Sequence, residues 1–163
     1  MSRFFPTPDA WTDAWPDTWP QNGGPPDAAE TTGLLTRGVC RLFGGLGFGT
    51  LTEFKLSNGR RVDVMAIDRN GEFVIVEIKS TVADYRADRK WQEYLAFCER
   101  FYFAVPAGFP THLLPDECGL IVADPYDAAV RRESDARRLN ANRKRQQLIR
   151  FALVASERLR SLG

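Results

Sequence analysis

The stretch Arg60–Ser80 constrains the chain more than any other. Two apolar runs, Val62-Asp63-Val64-Met65-Ala66-Ile67 and Phe73-Val74-Ile75-Val76-Glu77-Ile78, flank Arg69-Asn70-Gly71, which is the pattern of a β-hairpin. Each run carries one carboxylate among apolar side chains. Asp and Glu are depleted in strands, and a carboxylate taken out of water needs a compensating partner. A bound metal ion is one such partner.

The register of the hairpin decides whether the two carboxylates meet. A two-residue Asn70-Gly71 turn would set Asp63 and Glu77 on opposite faces, because side chains alternate with period two. A three-residue turn, Arg69-Asn70-Gly71 with Gly71 left-handed, pairs Asp68 with Glu72 and Asp63 with Glu77. Asp63, Glu77 and Lys79 then share one face, while Val62, Val64 and Ala66 oppose Val74, Val76 and Ile78 on an all-apolar one. The three-residue turn is the expectation.

Two carboxylates on neighbouring strands offer the oxygen ligands that Mg²⁺ or Mn²⁺ takes, with water and phosphate filling the rest of the shell. A lysine two residues after Glu77 points to the same side, where it can steady an attacking water or the charge developing on a transferring phosphate. A salt-bridged Lys79 on a solvated strand end is the structural alternative.

At these residues the chain resembles the PD-(D/E)xK nucleases: Asp63, then Glu77-Ile78-Lys79, preceded by a helix and a strand and followed by a helix, with Val62 where the motif often has Pro. More narrowly, Val76-Glu77-Ile78-Lys79-Ser80, then Asp84-Tyr85-Arg86-Ala87-Asp88-Arg89-Lys90-Trp91 and Cys98-Glu99-Arg100-Phe101-Tyr102-Phe103-Ala104-Val105-Pro106, resemble the bacterial MmcB-type DNA-repair proteins. The resemblance runs from about Glu30 to Asp124. It implies a restriction-endonuclease-like α/β fold and a metal-dependent nuclease acting on DNA in repair, although some members keep the fold and lose catalysis. It also implies an extra metal-facing Glu on the first helix, where Glu30 stands, and a basic or amide residue near the metal on the helix after Lys79, where Lys90 and Gln92 stand.

Composition is that of a soluble globular chain, with 163 residues, 44% hydrophobic and 26% charged. One domain with tails is expected. Cys40, Cys98 and Cys118 are widely spaced among apolar residues, which suits reduced thiols. No apolar run is long enough for a membrane span, and the N-terminus lacks the basic-then-apolar order of a signal peptide. A cytoplasmic protein is expected. Zinc spacing and a phosphate-binding Gly-rich Lys-Ser/Thr loop are absent, and the single histidine, His112, reads as structural. Charge is unevenly placed: from Arg131 onward ten Lys/Arg face three Asp/Glu, leaving twelve against eighteen before it. That tail suits a polyanion such as DNA, or the protein's own acidic body.

Residues 1–26 hold six of the ten prolines and three of the four tryptophans, in the repeat Asp9-Ala10-Trp11-Thr12, Asp13-Ala14-Trp15-Pro16, Asp17-Thr18-Trp19-Pro20. The prolines oppose a helix, so an extended tail is expected, either a leader or a segment that engages other repair proteins. Asp27 with Glu30 reads as a helix N-cap, with Leu34, Leu35, Val39, Leu42 and Phe43 as the apolar stripe and Gly44-Gly45 as the stop. Glu30 therefore has two readings, cap and metal ligand. Arg37 and Arg41 share a helix face that suits phosphate. Thr50–Leu56 alternates as a strand, with Leu51, Glu53 and Lys55 on one side; Glu53 rivals Glu30 as third carboxylate.

A helix is expected from about Tyr85 to Arg100, with Trp91 in the core, then strands at Arg100–Val105 and Leu120–Ala123. Ser134–Leu162 reads as one long helix, its first half crowded by Arg137, Arg138, Arg143, Lys144 and Arg145, which suit sequence-blind phosphate binding. The organisation expected is a tail over 1–26, a nuclease-like α/β domain over 27–130 and a basic helix over 131–163. The function expected is a Mg²⁺- or Mn²⁺-dependent deoxyribonuclease, with Asp63, Glu77, Lys79 and one of Glu30 or Glu53 at its centre. A DNA-binding adaptor that keeps the fold is the alternative.

Overall fold

The computed structural model describes residues 27–163; the Trp-rich repeat lies outside them. Helix α1 (Ala28–Gly45) starts where its cap predicts, with Asp27 accepting from the Glu30 amide at 2.7 Å. Strands β1 (Gly49–Lys55), β2 (Arg61–Ile67) and β3 (Phe73–Ile78) form an antiparallel meander. A helical crossover leads to β4 (Arg100–Val105), parallel to β3, then β5 (Gly119–Ala123), parallel to β4, and β6 (Ala128–Arg132), antiparallel to β5. The six strands lie in the sheet in chain order. The helix, three-strand meander, crossover and parallel strand follow the expected order.

The hairpin register is the expected one from Ile67 to Val64, but the expected Asp63–Glu77 pair is not part of the ladder. Val64 pairs with Val76 and Ile67 with Phe73, and Gly71 takes a φ of +76° that a side chain would resist. Asp68 organises the turn, its carboxylate accepting from the amides of Asn70 and Glu72, each at 2.8 Å.

Two cores cover the two faces of the sheet. Leu35, Val39 and Phe43 of α1 pack on Val64, Ala66, Val74, Val76 and Ile78. On the other face Phe73, Ile75, Phe101 and Phe103 pack with Trp91, Tyr94 and Phe97, and Trp91 stacks on Phe101 at 5.7 Å between ring centroids. Each such side chain contributes roughly 1.5–3 kcal/mol by leaving water. Helix α1 approaches the loop before β6 so closely that a Cβ on Gly38 would meet the Asp124 carbonyl oxygen at 2.2 Å.

Three expectations need correction. Val62 belongs with Phe54 and Leu56 rather than with Val64 and Ala66, and Leu51 packs on the same face as Phe54. Alternation therefore breaks in both strands, at Glu53, whose φ is +49°, and at Asp63 opposite it. The helix after Lys79 is two pieces, α2 (Val82–Ala87) and a 3-10 helix (Trp91–Phe97). The terminal helix α3 (Ala141–Ser161) begins seven residues later than expected. Before it the Ser134 hydroxyl accepts from the Phe101 amide at 3.0 Å and the Arg137 amide donates to the Glu99 carbonyl. The helix then starts on Asn140, which caps Asn142 and Arg143.

Helix α3 shares the second core, with Phe151 against Phe54 and Phe73. No described helix is long and apolar enough to cross a membrane. Cys98 and Cys118 are buried, free thiols, and burial pushes the Cys118 thiol up to about 12, which leaves it unreactive.

Candidate active site

The β2–β3 ladder stops at Val64–Val76, and beyond it side chains take over the pairing. Asp63 Oδ2 accepts from the Ile78 amide at 2.7 Å, and the Asp63 amide donates to Glu77 Oε1 at 3.3 Å. The break in alternation is what lets the Asp63 carboxylate reach across to the next strand. Glu77 alternates with Phe73 and Ile75 and so faces the side away from α1.

Lys79 closes the cluster. Its amide is held by the Ala104 carbonyl, its Nζ lies 2.7 Å from Asp88 Oδ2 and 3.7 Å from Glu77 Oε2, and Glu77 and Lys79 are only 4% and 5% exposed. Asp88 stands where α2 ends, its other oxygen accepting from the Lys90 amide at 3.0 Å. That side-chain turn is the physical reason the expected continuous helix is broken. Thr81 caps α2 by accepting from the Asp84 amide, and Asp84 accepts in return from the Ser80 amide.

These contacts set the protonation of the group. Burial, then the neighbouring Asp63, pushes the Glu77 carboxyl well above the usual range, with Lys79 opposing. Burial also raises Asp63, against the Ile78 amide and Lys79, and the charges of Glu53 and Asp84 add to the rise. Burial pulls Lys79 down, but the Asp88 hydrogen bond and the charges of Glu77, Asp88 and Asp84 outweigh it and hold the ammonium on. Asp88 is lowered: burial is outweighed by Lys79 and the Lys90 amide. Two strained carboxylates thus sit beside one satisfied ion pair.

The remaining expected residues are spread out. Glu30 is exposed on the first turn of α1, a helix packed on the face opposite Glu77. Glu53 is exposed and ion-paired to Arg61 at 2.6 Å, yet close enough for its charge to act on Asp63. Arg37 is exposed and Arg41 donates to the Tyr126 carbonyl at 3.0 Å, both on α1. Lys90 and Gln92 are exposed beside the site's Asp88 turn.

Several of the C-terminal cations fasten α3 to the body. Lys144 pairs with buried Glu99 at 2.8 Å. Arg143 donates to the Ala96 carbonyl and lies over the Phe97 ring. Arg150 and Arg158 donate to carbonyls of β1. Arg137 sits before the helix, with Nη1 buried and without a hydrogen-bond partner among the described residues. Arg138 and Arg145 are exposed.

Asp84, Asp88 and Tyr94 are site residues that sequence reasoning misses. Thr81-x-x-Asp84 is a capping pattern that places the helix start at Val82, whereas the spacing of Asp88 fits a continuous helix as well as it fits the turn it makes. Tyr94 is buried, and its hydroxyl is raised by burial and then by the charges of Glu77, Asp88 and Asp63. Among the described residues no group of three or more His, Cys, Asp or Glu side chains surrounds a single point. Asp63 and Glu77 are two carboxylates joined through the Asp63 amide, with the Asp63 charge acting on Glu77.

Comparison with known proteins agrees with the resemblance to the MmcB-type proteins. No curated protein matches. A solved protein of unknown function from Silicibacter pomeroyi is 40% identical, covering 84% of this chain and 92% of its own, with a TM-score of 0.78. A repair endonuclease from Pyrococcus abyssi is a distant, partial likeness, at 19% identity and a TM-score of 0.41 over 63% of this chain and 50% of its own. The sequence model of the MmcB-like DNA repair proteins matches residues 23–163, and the chain belongs to that family.

Proposed function

We propose that this protein is a metal-dependent DNA nuclease acting in repair, with Asp63 and Glu77 jointly holding one Mg²⁺ or Mn²⁺. The observation that carries the reading is the part-buried contact between them: Glu77 Oε1 lies 3.3 Å from the Asp63 amide, both carboxyls are raised by burial, and the Asp63 charge makes Glu77 harder still to ionise. Two such groups with one lysine already committed to a third acid leave excess negative charge, which a hard divalent cation with oxygen ligands fits. Mg²⁺ needs only one or two protein carboxylates, so a two-carboxylate pair is sufficient. When bound, the cation supplies Lewis-acid polarisation of a phosphodiester and a more acidic water.

The chain's own residues do the rest. Lys79 keeps its proton at Nζ and presents it beside Glu77, where it can donate to a phosphate oxygen or orient water. Ile78 fixes the Asp63 carboxylate through its amide. Glu53, whose charge reaches Asp63, is favoured over Glu30 as a further contributor. Exposed Arg86, Arg89 and Lys90 lie at the Asp88 turn and are the cations placed to hold DNA phosphates near the site.

A non-catalytic DNA-binding adaptor is the second reading, favoured by the lack of a third clustered carboxylate among the described residues. Cleavage of single-stranded, duplex, flapped and branched DNA with Mg²⁺ or Mn²⁺ separates the two. Cutting by the wild type that vanishes in Asp63→Ala at matched DNA binding is expected. Tight binding with no cutting of any substrate assigns the adaptor.

A further inference from the structure

We infer that Asp88 is a positioning residue which holds Lys79 off Glu77 and thereby keeps the Glu77 carboxylate free for a ligand; this rests on the nuclease reading of the site. Lys79 lies within ion-pairing reach of two carboxylates and is buried against both. Its Nζ is 1 Å nearer to Asp88 Oδ2, at 2.7 Å, than to Glu77 Oε2, at 3.7 Å. Only the Asp88 contact is a hydrogen bond; 3.7 Å is outside that range. Glu77 is left with a long bond from one amide and no short one to the lysine.

The chain is built to deliver Asp88 to that place. Lys79 ends the strand side of the site, and nine residues later Asp88 ends α2, whose six residues are anchored by the Thr81 cap and the Asp84–Ser80 bond. The two Asp88 oxygens play different parts, Oδ1 fixing the turn through the Lys90 amide while Oδ2 holds the lysine. Without that carboxylate the nearest remaining acid for a buried ammonium is Glu77. The lysine would then swing onto Glu77, neutralise it and compete with any cation there, since a buried charge without a partner is strongly unfavourable.

Asp88→Asn separates the two roles, because the amide oxygen can still accept from the Lys90 amide while the negative charge is lost. The direct readout is the Lys79 ammonium resonance in ¹⁵N NMR of the metal-free protein. A buried, hydrogen-bonded ammonium exchanges slowly and is visible, and its shift reports its partner. In Asp88→Asn it is expected to move or vanish while the backbone spectrum away from α2 stays in place. Mn²⁺ affinity is expected to fall, and kcat for DNA cleavage to fall by about tenfold or more with KM for DNA within about twofold.

An unchanged Lys79 resonance in Asp88→Asn, or unchanged Mn²⁺ affinity, overturns the inference. Asp88→Glu, which restores the charge on a longer arm, should recover part of the Mn²⁺ affinity; recovery by Asp88→Ala instead would also overturn it. If the wild type cuts no DNA, the nuclease reading fails separately, and the ammonium resonance still decides whether Asp88 holds the lysine.

Discussion

Replacing Glu77 by Gln should make the metal-free protein more stable. Glu77 is 4% exposed, and its carboxyl is raised well above the usual range by burial and then by Asp63, with Lys79 at 3.7 Å pulling the other way. The raising influences win, so the folded state favours an uncharged side chain here. Gln keeps the oxygen that accepts from the Asp63 amide and drops the charge. Lys79 loses little, since its short bond is to Asp88. Removing a buried, poorly compensated charge is worth about 1–2 kcal/mol, or about 2–8 °C in Tm for a chain of this size.

The pH dependence follows from the same shift. A carboxyl whose folded pKa is raised costs stability while it is charged, and that cost is relieved as pH falls through the folded value towards the unfolded one. The advantage of Glu77→Gln in EDTA should therefore grow as pH rises above the ordinary carboxylate range and narrow on acidification. Thermal melts followed by circular dichroism at several pH values measure it. A variant that melts below the wild type near neutral pH in EDTA would refute the reasoning, because it would mean that Glu77 stabilises the fold through Lys79.

The other predictions concern the frame and the DNA surface. Gly38→Ala should cost about 1–3 kcal/mol in chemical denaturation, since the new methyl meets backbone oxygens of Asp124 and Asp127 that cannot easily move. Gly71→Ala, at φ +76°, should cost about 1 kcal/mol, read in the same assay. Lys144→Ala should destabilise by about 1–3 kcal/mol by stripping buried Glu99 of its cation while leaving DNA affinity nearly unchanged. Arg86→Ala with Lys90→Ala, both exposed, should leave Tm in place and flatten the salt dependence of DNA binding by about one unit of slope for each phosphate no longer engaged.

The parts of the site legible in the sequence are those fixed by local chemistry. Asn70-Gly71 with one more residue sets the turn, the turn sets the register as far as Val64–Val76, and that register sets the strand positions next to which Asp63 and Glu77 fall. Asp27 announces α1 in the same local way. What is not legible depends on distant partners. Val62 changes face because β1 and β2 kink together at Glu53 and Asp63, and no alternation rule within one strand reports a kink shared by two. Asp88 leaves the helix by the turn its Oδ1 makes with the Lys90 amide, while its Oδ2 engages Lys79, nine residues back. β6 is a short edge strand, Ala128–Arg132, with Arg132 tied to carbonyls of Pro115 and Cys118, and such a strand is defined by its neighbour more than by its own pattern. The basic C-terminal run suggests a DNA grip, but Arg143, Lys144, Arg150 and Arg158 each have partners on the body.

The most direct test of the account is calorimetric titration of Mn²⁺ or Mg²⁺ into the metal-free wild type, Asp63→Asn and Glu77→Gln. A single site in the wild type that disappears in both variants, with all three proteins folded, is the predicted result. A wild type that binds no divalent cation, or variants that bind it equally well, would contradict the claim that Asp63 and Glu77 together form a metal site.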